Sequence, residues 1–221
     1  MKIDILTLFP EMFINIINQS ILARAQKKGL VDIKVHNLRD WALDKHKIVD
    51  DNPYGGGAGM ILKVDVIDRA LHDIKSKTKN LKSKIILLTP QGKIFNQQKA
   101  IKLSKEPWLI LICGHYGGFD ERVRKLVDIE ISLGNFVLTG GEIPTMAIID
   151  AICRNIPDVI KPESLLDETH SQIGKIQYPQ YTRPERFSPI SIKTKQSLIV
   201  PKVLLSGNHA EILKWRKNNA K

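Results

Sequence analysis

Cysteine is almost missing from this chain. Cys113 and Cys153 are the only two in 221 residues, far apart and each set among apolar neighbours, which excludes a disulfide framework and a zinc-ligand spacing and leaves buried free thiols as the expectation. No apolar run approaches the ~18 residues of a membrane span. The opening Met1-Lys2-Ile3-Asp4 places a carboxylate where a signal peptide needs an apolar segment, so the expected location is cytoplasmic, with no membrane partner. G-x-x-x-x-G-K-[ST] does not occur, no glycine cluster keeps the G-x-G-x-x-G spacing after a first strand, and G-x-S-x-G and H-E-x-x-H are missing too. Nucleotide-loop, serine-hydrolase and zinc-protease chemistry therefore have no support. His36, His46, His72, His115, His170 and His209 show no ligand spacing, so no protein-held metal is expected.

Acid is also scarce relative to base. Lys and Arg number 34 against 23 Asp and Glu, a net +11, and the excess is uneven. Residues Lys161 to Lys221 hold 11 basic and 5 acidic side chains, or +6 in about a quarter of the chain, a field that suits a phosphate-rich partner. With 43% hydrophobic and 26% charged residues the chain has material for a sizeable core and a small second domain.

Periodicity predicts an alternating β/α order. Lys2 to Leu8 reads as a strand. Pro10 then opens a helix with Met12, Phe13, Ile16 and Ile17 on one stripe, and a second helix, Ile21 to Lys28, ends at Gly29 ahead of a strand from Leu30 to Leu38. Arg39 to Met60 is polar, glycine-rich and too long for an ordinary connection, so it is expected to be functional. A helix over Val64 to Lys75, a buried strand from Ile85 to Leu88, a helix over Asn96 to Lys105 and a strand from Trp108 to Cys113 follow. A short helix from Asp120, a strand around Val127 to Ile131 and a helix from Thr145 to Arg154, begun by Pro144, complete a mostly parallel sheet. The period breaks between Pro157 and Tyr178. Beyond it Asn208-His209-Ala210-Glu211 has capping-box spacing for a helix from Ala210 to Lys217, with Ile212 and Trp215 packing inward.

Three loops fall at strand ends: Thr89-Pro90-Gln91-Gly92, Gly114 to Gly118, and Leu133 to Pro144. Open α/β sheets bind ligands there. Gly134, Gly140 and Gly141 are able to take φ > 0 and to let a ligand approach the backbone, so the three loops are expected to cradle one organic cofactor. A bulky side chain at Gly141 is expected to occupy the ligand's volume while sparing the fold.

The words Leu8-Phe9-Pro10-Glu11-Met12-Phe13, Asp50 to Gly57, Thr89 to Gly92, Asp120-Glu121-Arg122-Val123, Val137 to Glu142, Tyr181-Thr182-Arg183-Pro184-Glu185 and Leu204 to Ala210 closely resemble, in order, the bacterial tRNA (guanine-N1)-methyltransferases. The resemblance implies a deep trefoil knot of the SPOUT class in an α/β domain over 1–160, a linker over 161–177 and a small basic, helical tRNA-binding domain over 178–221. Relatives continue past Lys221 with further helices, so that last domain is expected to be trimmed. It further implies an obligate homodimer with the active site at the subunit interface, S-adenosyl-L-methionine as donor, and N1 of guanine 37, next to the anticodon of tRNA, as target. Carried over by motif, the donor site comprises Pro90, Gln91, Gly114, Leu133, Gly134, Asn135, Phe136, Val137, Leu138, Gly140, Gly141 and Pro144.

Methyl transfer from a sulfonium needs orientation of the reactants and removal of the N1 proton. The resemblance places Arg154 where its guanidinium would stabilise charge growing on guanine O6. Counting back from Tyr181 puts the family's Asp on Thr169, which takes no proton at neutral pH. A one-residue insertion aligns Glu168 instead, with Asp167 beside it, and Glu168 is the expected base. This chain departs from the pattern at His115 and Gly117, where relatives carry Arg and Glu, at Phe136 for Tyr and at Asn135 for Asp. The missing acid at Gly117 leaves divalent-metal dependence open. The competing readings are a SPOUT enzyme acting on ribosomal RNA and a non-enzymatic RNA-binding protein on the same fold. The second predicts decayed cofactor loops, whereas Thr89-Pro90-Gln91 and Leu138-Thr139-Gly140-Gly141 are intact.

Overall fold

The structure is a computed structural model that describes residues 1–78, 80–166, 168–170, 174–191 and 197–220. Two compact units divide the chain, Met1–Ile160 and Lys161–Lys221. In the first, chain order runs β1 (Lys2–Thr7), α1 (Glu11–Ile17), α2 (Ser20–Lys27), β2 (Asp32–Asn37), β3 (Asp50–Asp51), β4 (Ile61–Leu62), α3 (Val64–Ser76), β5 (Ser83–Ile94), α4 (Gln97–Leu103), β6 (Trp108–Cys113), β7 (Ile129–Ser132) and α5 (Glu142–Cys153). Two 3₁₀ segments, Leu38–Trp41 and Glu121–Leu126, complete the set.

Five strands form one parallel sheet in the order β2-β1-β6-β5-β7. Both its faces are covered, which is why the central strands are continuous apolar runs rather than alternating ones. Successive side chains still point to opposite sides. Ile3, Ile5, Ile86, Leu88, Leu109, Leu111 and Cys113 join Phe13 of α1, Leu22 of α2, Leu103 of α4 and Ile148, Ile149 and Ile152 of α5 in one core. Leu6, Ile85, Leu87, Trp108, Ile110 and Ile112 join Val66, Ile67, Ala70, Leu71 and Ile74 of α3 and Val123 in the other.

Three expectations change. The stripe on α1 is only half core: Phe13 is fully buried and the partly buried Ile17 packs against the same core, whereas Met12 and Ile16 are 45% and 41% exposed. β5 does not stop at Leu88. It resumes at Lys93, and since Leu88 and Lys93 both register with Ile131, residues 89–92 leave the ladder as an excursion and re-enter it. α5 starts at Glu142 rather than after Pro144, because the first turn of a helix lacks internal N–H partners and so admits a proline. The long stretch from Arg39 to Met60 holds one short antiparallel pair, β3 with β4, and the glycines Gly55, Gly56, Gly57 and Gly59 sit at positive φ.

In the second unit lie α6 (Glu163–Leu166), an antiparallel pair β8 (Arg186–Phe187) and β9 (Leu198–Ile199), α7 (Lys202–Leu205) and α8 (His209–Asn219). Asn208 caps α8 as its spacing predicts, accepting from the N–H groups of Ala210 and Glu211 at 3.1 and 3.3 Å. Ile212 and Trp215 are half-buried, with the Trp215 ring 6.3 Å from that of Tyr181.

One charge sits inside the sheet. Asp4 on β1 is 1% exposed and accepts from Trp108 Nε1 at 2.7 Å, with His36 Nε2 at 2.6 Å and Lys2 Nζ at 3.3 Å. Burial pushes its pKa up, but the His36 and Trp108 hydrogen bonds and the Lys2 charge outweigh it, leaving the carboxyl below its ordinary 3.8. A carboxyl depressed by folding stabilises the native state above its unfolded value, and that contribution disappears as pH falls through the folded value. Asp4→Asn should therefore lower stability at neutral pH by about 2–3 kcal/mol. Denaturant titrations should show its deficit against the unchanged chain shrinking below roughly pH 4.

Candidate functional site

The carboxyl ends of the adjacent strands β6, β5 and β7 open into one cavity of about 330 Å³. Each contributes a loop held by the protein's own backbone. The β5 excursion, Thr89 to Gly92, re-enters the sheet so close to β7 that a Cβ on Gly92 would lie 2.5 Å from the Ile131 nitrogen. After β6, residues Gly114 to Gly118 are pinned from outside: Gly117 N–H donates to Met60 O at 2.8 Å and Leu62 N–H to Gly118 O at 2.9 Å. After β7 the chain returns so that Gly141 N–H donates to Gly114 O at 2.7 Å, and α5 begins there.

These contacts show what the glycines do. Gly134, Gly140 and Gly141 do not use the positive φ that is open to them. Their role is close approach. A Cβ on Gly141 would stand 2.7 Å from Gly114 N and 2.8 Å from Cys113 Cα, and one on Gly134 would stand 2.7 Å from the Phe136 ring. At Gly140 a Cβ would meet Glu142 Oε2 and His115 Nδ1. Gly141 therefore serves the crossing of two chain segments, and a bulky residue there does not spare the fold.

Of the expected donor-site residues, Pro90, Gln91, Gly114, Leu133, Phe136, Val137, Leu138, Gly140, Gly141 and Pro144 line the cavity. Gly134 and Asn135 do not; Gly134 instead provides the space in which the Phe136 ring lies. Phe136 and Val137 are 55% and 82% exposed, an apolar lip at the mouth. Arg154 does not line the cavity. It is the C-cap residue of α5, at the opposite end of that helix from Gly141. Glu168 belongs to the second unit, and Asp167 lies outside the described residues.

Several residues of the site were not foreseen. Glu142 is 2% exposed and accepts from the Thr7 hydroxyl at 2.8 Å, and its other oxygen is 3.7 Å from His115 Nδ1. That nitrogen is the one buried side-chain polar atom without a partner among the described residues. His115 lines the cavity, its ring 4.8 Å from Phe9 and 4.9 Å from Tyr116. The signal available was an acid wedged between Gly141 and the apolar run of α5, since a carboxylate buried there has to be hydrogen-bonded. At the rim, the Arg122 guanidinium beside Asp120 pulls its carboxyl down to about 2. Arg124 lines the wall and donates to Gln91 Oε1, Glu130 Oε2 and Glu121 Oε2. Cys113 and Cys153 are buried free thiols; burial raises both, Cys153 to about 12, so neither is a nucleophile. Among the described residues no group of three His, Cys, Asp or Glu is placed to hold a metal, and no helix is long and apolar enough to cross a membrane.

The profile of the family described as tRNA (Guanine-1)-methyltransferase TrmD matches residues 1–221. A tRNA (guanine-N(1)-)-methyltransferase of Clostridium novyi (strain NT) is 54% identical over 218 residues, covering 98% of this chain and 85% of the relative. The protein of that name from Geobacter sp. (strain M21) is 52% identical over 218 residues, covering 98% and 84%. That from Dictyoglomus turgidum is 50% identical over 221 residues, covering 100% and 85%.

Gly141→Ala should lower stability by about 1–3 kcal/mol, as overpacking does, through displacement of α5 from β6. Thermal melts without any ligand check this; an unchanged midpoint would mean that the crossing tolerates a methyl group.

Proposed function

The chain belongs to the tRNA (guanine-1)-methyltransferase family, and from that premise we propose that it moves the methyl group of S-adenosyl-L-methionine to N1 of guanine 37, next to the anticodon of tRNA. Methylation of guanine N1 in tRNA is the activity of the family. The donor, the position and the residue roles are argued from the cavity.

The observation that carries this reading is a single cavity walled by three backbone-tight loops. Pro90, Leu133, Phe136, Leu138 and Pro144 offer apolar surface to a flat base, and Gly114 and Gly140 bring main chain into the cavity lining. A volume of about 330 Å³ suits an organic cofactor. When bound, S-adenosylmethionine supplies a methyl group already activated by its sulfonium. The chain's own tasks are then to exclude water, hold the base in line and accept the N1 proton. We assign proton acceptance to Glu168, with Asp167 beside it, and stabilisation of charge on O6 to Arg154.

Arg154 also bears on assembly. α5 has 12 residues, so about 18 Å of helix separates Arg154 from the cavity at its start, further than an arginine reaches. An Arg154 that acts on guanine therefore acts at a partner's cavity, which favours a homodimer with the active site at the subunit interface. The exposed Met12, Ile14 and Ile16 of α1, with Ile143 of α5 at 50%, supply apolar surface for such an interface. The close crossing of Gly141 over Cys113 and Gly114 supports reading the end of the first unit as a trefoil knot. Lys161–Lys221, with its +6 charge, is the piece we assign to tRNA. Lys202, Lys214, Arg216 and Lys217 are exposed there as phosphate contacts, while Lys193 and Lys195, proposed for the same role, lie outside the described residues.

Methyl transfer to unmodified tRNA should proceed with guanine at the target position and stop with adenine there; transfer to neither would remove the reading. In single turnover, Glu168→Gln should slow methylation by roughly 10²–10⁴ with donor affinity retained. A loss confined to Asp167→Asn moves the base by one residue, and full activity in both variants overturns a linker base. tRNA affinity should weaken steeply with salt, and each phosphate contact removed should flatten the log–log slope by ~0.7 to 0.9.

A further inference from the structure

The β5 excursion differs from the other two loops in that its four residues have no registered partner on β7. Gly114 to Gly118 is tied to Met60 and Leu62, and the third loop is tied to Gly114. Residues 89–92 leave the ladder altogether between the two registers at Ile131. Within the excursion the Gln91 N–H donates to the Thr89 hydroxyl, at 3.4 Å. Four residues looping out of a strand would sample many conformations unless something held them.

Arg124 supplies the hold. It comes from the 3₁₀ segment Glu121–Leu126, its side chain is 24% exposed, and it lines the same cavity as Pro90 and Gln91. One terminal nitrogen donates to Gln91 Oε1 and the other to Glu130 Oε2 on β7, while Nε donates to Glu121 Oε2 at 3.0 Å. The planar fork thus bridges the excursion, the edge strand and its own segment, with two carboxylates fixing its orientation. A lysine has no such fork. Gly92 meets the same edge strand through its backbone, so Gln91 and Gly92 are anchored side by side, one by a side chain and one by a close approach to Ile131.

We propose that Arg124 is a positioning residue for ligand binding: through Gln91 it sets the 89–92 loop in its binding shape before the ligand arrives. This rests on the reading of the cavity as the donor site. A loop already in shape binds without the cost of being ordered, so loss of the hold appears as weaker affinity.

The test is a double-mutant cycle on the full chain, with S-adenosylhomocysteine as calorimetric probe and amide exchange followed in the ligand-free protein. Arg124→Met should weaken binding about tenfold and speed exchange at Gln91 and Gly92, with α5 unaffected. In a Gln91→Ala background the same change should cost nothing further. An equal tenfold cost in that background would mean that Arg124 meets the ligand directly, and the proposal falls. Arg124→Lys keeps a charge beside Glu121 and Glu130 and should lose affinity as Arg124→Met does; full affinity in it, or in Arg124→Met, also overturns the proposal. If the unchanged chain fails to bind the probe, the donor-site reading is at fault instead. The exchange at Gln91 and Gly92 then decides the role of Arg124 by itself, an unchanged rate in Arg124→Met being the overturning result.

Discussion

Two chain segments meet at Gly141 more closely than a Cβ would permit, and the site is built on that contact. Gly141 N–H donates to Gly114 O at 2.7 Å, so the last turn before α5 lies directly on the end of β6. Three consequences follow from the one approach. α5 begins at the strand ends, which brings Glu142 inside beside Thr7 and His115. The segment from Leu133 to Gly140 has to arch over the cavity in order to return, and that places Phe136, Val137 and Leu138 on its wall. Gly140 has to be bare as well, since the neighbouring His115 and Glu142 side chains take up the space a Cβ would need.

Around this contact the sheet is a frame, apolar on both faces, with β1 and β6 almost wholly buried and β5 buried over Ile85 to Leu88. A parallel sheet covered in this way leaves its strand ends as the natural place for polar chemistry. The cavity uses the ends of β6, β5 and β7, while the buried Asp4 lies within β1 with its hydrogen bonds met by His36 and Trp108. The two charged clusters differ in kind. Asp4 is satisfied by its partners. His115 lines the cavity, and its buried Nδ1, 3.7 Å from Glu142 Oε2, has no hydrogen-bond partner among the described residues.

Much of the frame was readable from residue order. Ile85 to Leu88 and Trp108 to Cys113 could only be buried strands, and the apolar spacing of Val66, Ile67, Ala70, Leu71 and Ile74 matches the buried face of α3 residue for residue. Ten of the residues carried over by motif line the cavity, because the motif words fall on loops at strand ends. What misled was local conformation. Glycine permits positive φ and also permits contact, and composition does not say which is used; at Gly134, Gly140 and Gly141 it is contact. The stripe on α1 matched a core pattern, yet Met12 and Ile16 face outward, since periodicity marks an apolar face without naming what covers it.

The sequence by itself determined the alternation of strands and helices, the basic character of Lys161–Lys221, the positions of the three loops and, through unusual words repeated in order, the family. These are properties of neighbours along the chain: burial period, local charge and turn chemistry. The tertiary structure decided what depends on residues far apart in number but touching in space. Thr7 meets Glu142, Arg124 meets Gln91 and Gly141 meets Gly114 only after the sheet has formed, because each pair is joined across strands whose order, β1-β6-β5-β7, is not the order of the chain.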